Sequence, residues 1–213
     1  MTQKADIKFK REANRGSHEY DLACEVLDAG KICHVGFTQD DQTYVVPMAC
    51  ARMGDQLLIH GSVASRMVKN LTSGLNCCAT MTHFDGLVYA RSTFNSSMNY
   101  RSVMVFGVAR LITDLDEKRK SVQVLVDHLM PGRRADLRAS TVKELNATSL
   151  LALPIETFST KIRTGPPEDT KSDLDARVWA GVVPLTQTAG EPVDAPNLLP
   201  DIKRPEYLYK KDF

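Results

Sequence analysis

The hydrophobic positions of the chain change period several times, and each change marks an element. From Ser17 to Ala29 the residues Tyr20, Ala23, Val26 and Leu27 recur at helical spacing, with Gly30 where a C-terminal cap belongs. Residues 31–38 then alternate, with Cys33, Val35 and Phe37 on one side, which predicts a strand. Further strands are predicted over 43–52 and 56–60, separated by the hairpin signal Met53-Gly54-Asp55. A short helix is expected from Ser62 to Leu71, with Ala64, Met67, Val68 and Leu71 on one stripe and Gly74 beyond it.

Strand patterns return at 75–83, 86–93 and 101–113, and Asp85-Gly86 reads as a turn between the first two. Asp114-Leu115-Asp116-Glu117 has the form of a capping box opening a helix to about Leu129, which Pro131-Gly132 stops. Another helix is expected from Ser140 or Thr141, with Glu144 as its capping partner. Residues 149–163 read as one strand in which Pro154 marks an edge or bulge, 164–177 as a polar loop, and 179–185 as a last strand. The pattern predicts a mainly β protein with helices, of α+β class, built on an antiparallel barrel of six or seven strands. A charged arm (1–16), one domain (17–185) and a tail (186–213) that packs on the barrel or on a partner subunit make up the expected organisation.

Composition narrows the partners. The 213 residues carry 27 basic and 26 acidic side chains, for a net charge of +1, which gives no support to nucleic acid or a membrane surface. No apolar run approaches the ~20 residues that span a bilayer. The first residues, MTQKADIKFKREANRG, lack the apolar stretch of a signal peptide. With five cysteines, an odd number without framework spacing, the expectation is a cytoplasmic protein with reduced thiols. The five histidines form no zinc pattern, so no metal site is expected, and no Gly-x-Ser-x-Gly elbow is present.

The stretch 56–71 carries the most chemistry. A strand ending at His60 meets Gly61-Ser62 and passes straight into a helix start, where unpaired backbone N–H groups collect. Ser62 and Ser65 add hydroxyls, Arg66 a planar fork, and Lys69 a further cation, a plausible phosphate cradle. On spacing alone, Ser62 as a plain cap and Arg66 as a solvated side chain make the stronger account of the stretch.

The order of motifs along the chain adds a resemblance. Tyr44-Val45-Val46-Pro47, Leu57-Leu58-Ile59-His60-Gly61-Ser62-x-x-Ser65-Arg66, Asp85-Gly86-Leu87-Val88 and Ser97-Met98-Asn99-Tyr100-Arg101-Ser102-Val103 are followed by Phe106-Gly107, Pro131-Gly132-Arg133, Lys161-x-Arg163 and Trp179-Ala180-Gly181-Val182-Val183-Pro184-Leu185. This series resembles the pyridoxamine 5′-phosphate oxidase-like superfamily of FMN-binding split β-barrels, and more narrowly its nitroimidazole-resistance branch. The resemblance implies a homodimer with FMN sites at the interface and a small-molecule substrate. It lays the backbone of Val45, Val46 and Pro47 along the flavin ring, and places Ile59, His60, Gly61 and Ser62 by the ribityl chain and phosphate, and Ser65 and Arg66 on the phosphate. Tyr100, Arg101, Ser102, Lys161 and Trp179 are implied near the ring. Met67 stands where the oxidase has a lysine, so one phosphate contact is missing, and Lys69 or a partner-subunit cation is the expected substitute.

The substrate motif of the oxidase, Arg-Leu-His-x-Arg, is also missing, since Ser159-Thr160-Lys161-Ile162-Arg163 occupies that stretch. The expectation is therefore an FMN-dependent oxidoreductase or reductase of small molecules, nitroaromatics among them, and not a pyridoxamine phosphate oxidase. A flavin-binding or redox-sensing protein without turnover and a haem-binding split barrel are the competing expectations. The residues name no catalytic acid or base.

Overall fold

The computed structural model describes residues 7–9 and 11–209. In chain order its elements are β1 (Gly16–Ser17), α1 (Tyr20–Ala29), β2 (Ile32–Gln39), β3 (Gln42–Met53), β4 (Gln56–Ser62), α2 (Arg66–Leu71), β5 (Asn76–Tyr89), β6 (Ser97–Val108), β7 (Arg110–Leu111), α3 (Leu115–Leu129), α4 (Val142–Ala147), β8 (Thr148–Pro154), β9 (Thr157–Arg163) and β10 (Gly181–Pro184). The strands run in the order β1-β9-β6-β5-β2-β3-β4-β8-β7, every pair antiparallel, with β10 joining β5 off this path. Without the short strands β1, β7 and β10, the path holds the seven of a split barrel.

The split lies in β3. Its first part pairs with β2 as far as Ala49, and from Cys50 onward it pairs with β4. Two cores result. Ala23, Val26 and Leu27 of α1 enter the larger one beside Cys33, Val35, Phe37, Ile59, Val103, Val105 and Leu153. Leu58, Leu150 and Ala152 face the other way, against Ile112 and against Leu125 of α3. The uninterrupted apolar runs Leu57-Leu58-Ile59 and Leu150-Leu151-Ala152-Leu153 thus belong to strands covered on both faces. Each fully buried leucine there contributes roughly 1.5–3 kcal/mol.

Several boundaries differ from the sequence reading. Residues 75–93 do not form a hairpin at Asp85-Gly86; β5 runs through to Tyr89 with a bulge between Phe84 and Gly86. The cause lies in the tail, because β10 pairs along residues 86–89 of β5 and Leu185 N–H donates to Asp85 O at 3.0 Å. The run 149–163 is two strands: β8 pairs with β4 and β7, β9 with β6 and β1, and the chain breaks between them at Ile155, whose N–H donates to Asp55 O at 2.8 Å. α1 starts at Tyr20, and Ser17 sits in β1, its hydroxyl accepting from Glu19 N–H at 3.0 Å. Thr141 and Glu144 form the capping box of α4, whereas at α3 only Asp114 caps and Glu117 turns to Arg110. The tail returns to the body at Tyr207, which donates to Asp136 at 2.6 Å and accepts from Arg133 at 2.9 Å.

Candidate functional site

The strand β4 extends to Ser62, paired with Thr148, so Ser62 does not start the helix. Its carbonyl accepts from Ser65 N–H at 2.9 Å and its hydroxyl from Ala64 N–H at 3.3 Å, which makes 62–65 a tight turn. Gly61 permits this packing: a Cβ there would lie 2.9 Å from Val68 of α2. α2 is only six residues long, and Ser65 is its N-cap residue with a hydroxyl that makes no capping bond. Arg66 stands over the Tyr44 ring, its guanidinium carbon 5.1 Å from the centroid, a cation–π contact.

Neither Arg66 nor Lys69 has a carboxylate partner among the described residues. With Gln39, Ala64, Asn70 and Ser73 they line an open cavity of about 600 Å³. Asn70, buried, is held there by donation to Thr38 O at 3.2 Å. Two cations without carboxylate partners and a fixed amide around one cavity, with the uncapped Ser65 hydroxyl directly before Arg66, suit an oxyanion.

Residues directly opposite in antiparallel strands share a face, so the register sorts the other candidates. Pro47, His34, Thr80 and Met104 form one row across β3, β2, β5 and β6, and Val45, Gly36, Cys78 and Phe106 form the next. Tyr100 and Ser102 continue the same face along β6, and Lys161 lies opposite Ser102. This outer face is apolar and open, with Ile32, Val45, Phe84, Met98 and Met104 all exposed. Tyr44, on the edge of the cradle through Arg66, directly precedes Val45 on the face, so the two regions adjoin.

Five of the expected residues thus come together on the face (Val45, Pro47, Tyr100, Ser102, Lys161), and Ser65 and Arg66 come together in the cradle. The side chains of Val46, Ile59, Arg101 and Trp179 are placed differently. Val46 packs against the larger core and Ile59 is wholly buried in it, so neither side chain faces the outer surface. Arg101 is spent on Asp85 through two bonds of 2.9 and 2.8 Å, a pairing that raises its pKa further. Trp179 is exposed, its ring 5.6 Å from that of Tyr89, while Lys161, on the face, donates to Arg11 O at 3.2 Å. Tyr44 stands in the motif series but was given no role there, and Asn70 was not singled out. Tyr44 could have been found from its inward stripe with Phe37, on which it stacks at 5.4 Å.

Histidines divide by their partners. His18 Nδ1 contacts Phe158 O, His83 Nε2 contacts Val26 O and His128 Nε2 contacts Gly30 O. His34, on the outer face, and half-buried His60 have no hydrogen bond among the described residues. No group of three or more His, Cys, Asp or Glu that could hold a metal ion occurs among the described residues. No helix among them is long and apolar enough to cross a membrane.

Among solved structures, the chain is similar to a flavocytochrome from Azotobacter vinelandii: 37% identity, 97% of each chain covered, TM-score 0.91. It is similar also to an FAD- and haem-binding protein from Mycobacterium smegmatis, at 38% identity over 93% of this chain and 97% of that one, with a TM-score of 0.88. A protein described as one of 5-nitroimidazole antibiotic resistance, from Bacteroides thetaiotaomicron, shares the fold at 21% identity over 69% of this chain and 86% of that one, TM-score 0.60. No curated protein matches the chain. The sequence profile of the family described as pyridoxamine 5′-phosphate oxidase matches residues 19–162. With that match spanning well over half its length, the chain belongs to the pyridoxamine 5′-phosphate oxidase family.

Proposed function

We propose that the protein is a flavin-binding redox protein, with the flavin phosphate held by Ser65, Arg66 and Lys69 and the ring laid on the outer sheet face at Val45 and Pro47. The observation that carries this reading is the cavity at α2, where two cations without carboxylate partners adjoin an exposed apolar face. Lys69 takes the part of the cation missing at Met67, which is buried in the core. Ser102 and Tyr100 border the ring, with the Ser102 hydroxyl donating to Lys161 O at 3.2 Å. A bound flavin supplies one- and two-electron transfer, while the protein supplies placement and charge.

The ring, ribityl chain and first phosphate are common to FMN and FAD. The resemblance read from the sequence favours FMN; the Mycobacterium smegmatis relative, named for FAD, favours FAD. A second copy of the chain closes the apolar face over the ring in this reading, and nitroaromatic compounds are the first substrates to try. Haem is the second reading. Two relatives similar over nearly their whole length are described as a flavocytochrome and as a haem-binding protein, and His34 and His60 keep ring nitrogens free for an axial ligand here.

An absorption spectrum of the purified protein tests both readings. Oxidised flavin bands are expected, and chromatography of the released cofactor separates FMN from FAD. A Soret band would add haem. A protein that takes up neither flavin in titration overturns the proposal.

A further inference from the structure

Strand β2 leaves the edge of β5 after Thr80, and β10 joins that edge only at Gly86. Beside the gap lies a second cavity, of about 400 Å³, within the usual range of small-molecule sites. Met81, Leu129 and Ile32 give it apolar walls, and Gln187, Thr188 and Ala189 of the tail lie across it. Lys31 also lines it. The Lys31 ammonium donates to His128 O at the last turn of α3, which leaves two of its three N–H groups unspent. No carboxylate pairs with it among the described residues, and burial pushes its pKa down.

His83, held by Val26 O at 2.9 Å, lines the same space and keeps its other ring nitrogen free. Thr82 lies opposite Ser102 on β6, so the cavity borders the outer face on which the ring is proposed to lie. A neutral apolar occupant would desolvate the Lys31 charge without compensating it. A dianion such as a phosphate monoester would meet one cation only. A monocarboxylate with an apolar body matches both the lone ammonium and the walls.

We propose that this cavity binds a small organic acid, its carboxylate on Lys31 and its body against Met81 and Leu129, beneath the tail segment 187–189. Its role as the substrate pocket rests on the flavin reading; the binding does not. Benzoate serves as the probe, with neutral benzamide as control, followed by calorimetry on the full chain. Saturable benzoate binding is expected, at least tenfold tighter than benzamide. Lys31→Gln should weaken it tenfold or more, Lys31→Arg should keep it within about threefold, and Ala189→Trp, which fills the mouth without touching the charge, should abolish it.

Absence of saturable binding overturns the proposal, as does equal affinity for benzamide or indifference to both Lys31→Gln and Ala189→Trp. Should Lys31→Gln fail to fold, Ala189→Trp decides: retained binding overturns the proposal and lost binding supports it. Flavin uptake is titrated in parallel. Benzoate binding in a protein that takes up no flavin would sink the flavin reading alone.

Discussion

Arg66 was legible in the sequence as a cation near a strand end, but its surroundings were not. Tyr44 comes from a strand more than twenty residues earlier, and only the fold sets its ring under the guanidinium. Replacing Arg66 with Ala removes one charge-assisted phosphate contact, worth roughly 1.5–3 kcal/mol. Flavin affinity should fall by about ten- to a hundredfold in a fluorescence titration, with the melting temperature little changed because Arg66 is exposed. The cysteines were legible in another way. Alternation along β5 put Cys77 and Cys78 on opposite faces, and Cys77 is buried while Cys78 is half-buried. Burial pushes the Cys77 thiol up to about 11. An acid whose pKa is raised by folding lends stability that is whole below its unfolded value, near 9, and lost as pH rises through 11. Denaturant melts between pH 8 and 11 should therefore lose stability more steeply in the parent than in Cys77→Ala.

At the scale of elements, period and turn chemistry located nearly every strand and helix, because each is amphipathic or bounded by Gly, Pro or a cap. The misreadings share a cause: a long-range partner overrode a local signal. Asp85-Gly86 is a sound hairpin sequence, yet β10 arrives from a hundred residues away and holds the segment in one strand as a bulge. Pro154 marked an irregularity, but the break that sends β8 and β9 to different neighbours is tied down by Asp55 O, a partner no local pattern reveals. The close approach of β10 gives a direct check. A Cβ at Gly86 would lie 3.0 Å from Val183 O, a backbone atom that cannot swing aside. Gly86→Val should therefore push β10 off β5 and part Trp179 from Tyr89, seen as a change in emission from the only tryptophan.

Across the whole molecule, the site divides by what made each part readable. The Ser65-Arg66 pair and the Val45–Pro47 segment are short and local, so motif order exposed them. The second cavity has no motif, because β5, the end of α1, the end of α3 and the tail each give it only a few residues. The face that gathers Val45, Pro47, Tyr100, Ser102 and Lys161 depends on the register of four strands, which alternation implies only once their order is known. Arg101 and Trp179 show the limit of motif order: both match it, yet one is paired with Asp85 and the other lies outside the core.

The strand that caps the edge of β5 is made after every other strand of the sheet. During synthesis, the edge of β5 from Gly86 to Tyr89 stays unpaired until residues 181–184 have left the ribosome, well after the seven long strands exist. An open edge next to exposed Phe84 and Leu87 is a template for pairing with another nascent chain. A chain cut short before residue 181 would therefore carry all seven long strands and still present an open strand edge, the feature that favours aggregation.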